Sequence, residues 1–125
     1  MKKDVLIKDL RSLVLSFDQE RKATTMEKFS LEVSRLKEMW EQDVILHIFL
    51  QILHAVGKYI KANKAKDHAD SIGLLHSTIN VLERVVSTPD MTPETKKKLA
   101  NEELKKFYAL KKRLVQSSSG IEKRN

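Results

Sequence analysis

The sequence predicts an all-α protein, a single-domain bundle of four to five helices built around a central apolar helix at about 43–62. Three observations predict it. The 125 residues include only 3 glycines and 2 prolines, too few for the turns of a β-protein. Hydrophobic residues make up 41 % and charged residues 33 %, enough apolar side chains for a core and enough charge to keep one face of every helix wet. Apolar residues also recur at alternating steps of three and four, the period of amphipathic helices.

The first helix places Leu6, Leu10, Leu13 and Phe17 on one face, with Val5, Ile7 and Val14 beside them. DQERKAT, from Asp18 to Thr24, breaks the pattern and reads as a turn. A second helix from Thr25 carries Met26, Phe29, Val33, Leu36 and Trp40 in a 3-4-3-4 seam, so helices one and two are expected to form a coiled-coil-like hairpin. No proline or glycine separates the second helix from the third. One continuous rod from 25 to 62 would be about 55 Å long. Continuing the seam, however, reaches Asp43, His47, Leu50 and His54, and three of those four are polar. A break near WEQD, with Asp43 capping a new helix, resolves this conflict in a monomer. A dimer with exchanged hairpins is the other solution.

From Val44 to Ile60 apolar residues cover most of the third helix's circumference, the mark of a helix packed on several sides. What is left is one polar stripe: Asp43, His47, Gln51, His54, Lys58 and Lys61. A fourth helix from about Asp67 carries Ile72, Leu75, Ile79, Leu82 and Val86. After two prolines, Thr92 is placed to cap a fifth helix with Pro93 at its first position. That helix should run to about Gln116, with Ala100, Leu104, Phe107, Tyr108, Leu114 and Val115 inward. Residues 1–116 then form the bundle, and the aperiodic SSSGIEKRN at 117–125 is expected to be unstructured.

The chain has no cysteine, which rules out disulfides, thiolate metal sites and a cysteine nucleophile. Asp4, Lys8 and Asp9 interrupt any signal-peptide apolar region, and the longest uncharged run, Val44 to Gly57, is too short to span a bilayer. A cytoplasmic protein without membrane contact is expected. Neither a G-x-S-x-G turn nor a P-loop is present. The histidine pairs His47/His54 and His68/His76 lie seven and eight residues apart, whereas helical zinc pairs need three or four. No metal and no cofactor is expected.

"HAVGK" at 54–58 resembles the His-x-x-Lys-Gly motif of the helical-bundle domains that carry phosphate on histidine between signalling kinases and response regulators. Here the lysine and glycine stand in the opposite order. "VLE" at 81–83 resembles the end of the next helix in such domains. The resemblance implies His54 as phosphoacceptor, Lys58 in support of the phosphoryl group, Gly57 leaving room for the regulator, and a response-regulator-like partner.

Residue by residue, the preferred reading is a non-enzymatic regulatory or adaptor module of a cytoplasmic signalling system. It would bind another protein, an acidic one by charge, through the polar groove of His47, Gln51, His54, Lys58 and Lys61, with a histidine response between about pH 6 and 7. Phe29, Val33, Leu36 and Trp40 are candidate anchors for self-association into a homodimer. A third reading takes Lys98, Lys105 and Lys112, seven residues apart on the last helix, with Lys106 and Arg113, as a phosphate-binding stripe. Glu102 and Glu103 interrupt that stripe, and no aromatic residues alternate with its charges.

Overall fold

A computed structural model of the chain describes residues 3–20, 22–63 and 69–124; from Leu114 onward α5 is described by its backbone only. Five helices follow in order: α1 (Lys3–Glu20), α2 (Ala23–Met39), α3 (Val44–Asn63), α4 (Ala69–Val86) and α5 (Pro93–Arg124). The packed pairs are α1 with α2, α2 with α3, α3 with α4 and α4 with α1. Short connections make consecutive helices antiparallel, so these four close into an up-and-down ring. The fifth lies outside the ring, against α3 and α4.

The α2–α3 rod is broken, and the residues that break it are those the patterning conflict required. Trp40 ends α2 with its N–H on the Leu36 carbonyl, and Asp43 N–H turns back to the Trp40 carbonyl at 2.9 Å. Asp43 Oδ1 then accepts the Leu46 N–H at 3.0 Å and caps α3, satisfying one of the donors that a helix start leaves open. Lys3 holds this corner from α1, its Nζ 3.9 Å from Asp43 Oδ2 and 5.8 Å from the Trp40 ring centre.

In α3, Leu46, Phe49, Leu50, Ile52, Leu53, Val56 and Ile60 are buried against three neighbouring helices. By length and composition α3 could cross a membrane; here it is the shared wall of the ring and of α5. Gly57 allows α2 to come close. A Cβ at this position would stand 3.2 Å from Cδ2 of Phe29, a fully buried ring.

Several inward positions differ from the sequence pattern. In α1 Val14 is buried and Leu13 only half-buried, and in α4 Val85 is buried where Val86 was expected. The chain turns later and more tightly than DQERKAT suggested, because Asp18 belongs to α1 and binds His76 Nε2 of α4 at 2.7 Å. Glu83, the last residue of VLE, accepts from Arg11 Nη2 of α1 at 3.0 Å.

Thr92 caps α5 as expected, its Oγ1 accepting the Thr95 N–H at 3.2 Å. Touching the ring on one side only, α5 buries a narrow stripe. Ala100 and Leu110 are buried and Leu104 and Phe107 half-buried, but Tyr108, expected inward, is 57 % exposed. Glu103 takes a buried place instead, 1 % exposed, with Oε1 accepting from Ser77 Oγ at 2.8 Å and from Thr78 Oγ1 at 3.2 Å. Lys106 Nζ completes the set 2.8 Å from Glu103 Oε2, so the buried charge is paired and hydrogen-bonded. The backbone of α5 passes Gln116 and stays helical to Arg124, through the segment expected to be unstructured. No proline intervenes, and an established helix extends by one hydrogen bond per residue.

Phe49 is fully buried and Trp40 is 8 % exposed. Truncating either to alanine is expected to cost about 3–5 kcal/mol, read as a shift in the urea midpoint at constant slope. An Asp43→Ala variant, which removes the cap and the exposed pair with Lys3, should lose about 1 kcal/mol, most of it from the cap.

Candidate functional site

The polar stripe of α3 arises because α3 has neighbours on three sides. Among the described residues α2 and α5 do not touch each other, so the face of α3 between them remains open. Gln51, Lys58 and Lys61 are exposed there, and His47 and His54 are half-buried.

The structure divides the stripe between two depressions that run along the α2–α3 boundary. The larger, about 690 Å³, is lined by Ala23, Glu27, Ser30, Leu31 and Ser34 of α2 and by His54, Lys58, Lys61 and Ala62 of α3. The other, about 340 Å³, is lined by Ser34, Lys37, Glu38, Glu41 and His47. Ser34 belongs to both, so they form one trough about as long as α2. Gln51 lines neither and stands outside it. One end of the trough carries Lys58 and Lys61 with Glu27, and the other carries Lys37 with Glu38 and Glu41.

The α2 wall was not foreseen. Its main apolar member, Leu31, is 66 % exposed, and it falls outside the Met26–Phe29–Val33–Leu36–Trp40 seam. An apolar residue out of register with its helix was the available signal. The seam itself does not provide a surface for self-association. Phe29, Val33 and Leu36 are fully buried and Trp40 nearly so, against α1 and α3 of the same chain. Their apolar area is already removed from water within one monomer.

The His54 imidazole is held below its ordinary value of 6.5, first by partial burial and then by the positive charges of Lys37 and Lys58. Both causes disfavour the protonated ring, so at neutral pH His54 is an uncharged donor and acceptor. Gly57 does not clear space beside it, as the phosphotransfer resemblance implies, because Gly57 faces Phe29 and Ser30 inside the α2–α3 contact. Of the remaining histidines, His76 is engaged with Asp18 and His68 lies outside the described residues. Among the described residues no three histidine or acidic side chains converge as a metal site would require.

On α5, Lys98, Lys105, Lys106, Lys112 and Arg113 are all exposed. Lys106 is tied to Glu103, and Arg113 Nη1 lies 3.8 Å from Asp70 Oδ2 of α4. The other three follow one line on the outward face.

The lowered His54 value has a definite sign. Below pH 6.5 the unfolded chain takes up this proton more readily than the folded one, so the contribution of neutral His54 to stability is complete above 6.5 and falls as the pH drops. An NMR titration should place the His54 midpoint below 6.5, and Lys37→Gln or Lys58→Gln should raise it. His54→Ala should leave the fold intact.

No protein-family model, no curated protein and no solved structure matches the chain.

Proposed function

We propose that the protein is a non-enzymatic interaction module whose α2–α3 trough seats an amphipathic segment of a partner protein. That segment is acidic at the end that meets Lys58 and Lys61. The observation that carries this reading is Leu31: a 66 % exposed leucine on the wall of a 690 Å³ groove, out of register with its own helix and of no use to the core. Around it Ala23 and Ala62 keep the groove wide, and the aliphatic stems of Lys58 and Lys61 extend its apolar wall with charge only at the tips. An amphipathic helix laid into such a groove would bury the leucine at the centre and keep the charges at the rim, as helix-in-groove recognition does.

Neutral His54 fits the same role. At pH 7 it can hydrogen-bond to a seated segment without adding charge to a lysine-rich rim. Protonation below pH 6.5 would add one more positive charge and favour an acidic partner, so binding is expected to tighten on acidification rather than weaken. The absence of cysteine is consistent with a reducing, cytoplasmic setting, and a regulatory or adaptor role in signalling is the part such modules most simply fill.

The test places a photo-reactive amino acid at Leu31 and, as control, at Leu15, an exposed residue of α1. A cross-link formed from Leu31, absent from Leu15 and lost when Lys58→Glu and Lys61→Glu are added, is the expected result. Equal cross-linking from both positions, or none from Leu31 in cells that express the protein, would overturn the groove reading.

A further inference from the structure

A second surface stands apart from the trough. On α5 the residues seven apart, Lys98, Lys105 and Lys112, lie opposite the buried stripe of Ala100, Glu103 and Leu110, and each is exposed. Seven residues span about 10.5 Å of helix, so the three ammonium groups form a straight row along more than 20 Å of helix. The described ion pairs of α5 use Lys106 and Arg113 and none of these three.

Two features that weigh against a phosphate-binding stripe in the sequence are altered by the fold. Glu103, which interrupts the lysines in the chain, is turned inward, paired with Lys106 and hydrogen-bonded by Ser77 and Thr78, which leaves Glu102 between Lys98 and Lys105 and Glu94 at the start of the row. Tyr108, expected in the core, is instead outside, three residues from Lys105 and four from Lys112. Its ring is 57 % exposed and is backed by Phe107 at 5.8 Å between ring centres and 44° between planes. Phe107 is half-buried against the bundle, so Tyr108 rests on an anchored ring.

We infer that the outward face of α5 binds single-stranded nucleic acid. The lysine row would hold the phosphates and Tyr108 would serve as a stacking platform for a base. The chemistry favours this ligand over the other polyanions. An exposed aromatic ring among backbone-directed cations is the combination that single-strand binders use. A duplex would offer its stacked bases no access to the ring. A membrane would demand an apolar half to the helix, and beside the row stand only Tyr108 and the small Ala109. Lysines without arginine forks give no base readout, so the binding is expected to be indifferent to sequence.

The experiment is fluorescence anisotropy of labelled oligo(dT) with the full chain, from about 50 to 200 mM salt. Three phosphate contacts predict a log–log salt slope of about −2. Replacing Lys98, Lys105 and Lys112 together by glutamine should bring the slope close to zero. Tyr108→Ala should weaken binding roughly 5- to 150-fold with the slope unchanged. Circular dichroism on each variant checks the fold. Poly-glutamate and anionic phospholipid vesicles are titrated alongside. No binding at 50 mM salt, or binding that the triple variant retains, overturns the inference. Equal affinity for poly-glutamate with no effect of Tyr108→Ala would also overturn it and assign the face to acidic proteins. Tighter binding to the vesicles would assign it to a membrane surface.

Discussion

The structure depends on α3. A helix with apolar side chains around most of its circumference cannot face water on more than one stripe, and most other features follow from that constraint. Continuing the α2 seam into α3 would put Asp43, His47 and His54 in the core, so the chain turns at Trp40–Asp43 and α3 starts again in a new orientation. The ring of α1 to α4 covers two sides of α3, and α5 covers a third from outside. What stays open is the strip between α2 and α5, where the His54, Lys58 and Lys61 side chains come out. The polar stripe is therefore the boundary of the core, and the trough is where that boundary meets the wall of α2.

The same logic accounts for the contrast between α2 and α5. The first is a member of the ring and buries a wide seam, so one leucine displaced from that seam stands out as a surface feature. The fifth helix docks on one side only, and a narrow stripe is all it can bury. It holds to α4 through a paired glutamate as well as by apolar packing, and its outer half carries Lys98, Lys105 and Lys112 together with Glu102 and Tyr108. Two different surfaces result: a shaped groove between α2 and α3, and a convex charged face on α5.

Most of the fold was legible in the sequence. The 3-4 spacing located the helices, the clash between the α2 seam and the α3 stripe located the break, and Thr92–Pro93 located the start of α5. Less legible was anything that depends on how two helices are rotated against each other. Periodicity gives the width of a buried stripe and not its centre to within a residue, which is why Val14 and Val85 took the places expected for Leu13 and Val86. The place of Tyr108 could not be read, because whether α5 is covered on one side or two is a fact about its neighbours. Glu103 was hidden for a related reason: its partners Ser77 and Thr78 are on α4, and only the docked pair of helices makes a buried carboxylate acceptable. Of the candidate site, the α3 half was visible as a stripe. The α2 half required recognising that Leu31 was out of place.

The account rests on α3 being a separate, central helix in a monomeric bundle, and residue-resolved native-state hydrogen exchange tests this most directly. The amides of α3 from about Leu50 to Val56 should exchange only through global unfolding and be the slowest in the chain. Those of Glu41 and Gln42, in the turn between α2 and α3, should exchange quickly. Protection running unbroken from α2 through Glu41 and Gln42 into α3 would mean a continuous rod shared between two copies, and would contradict both the bundle and the trough built upon it.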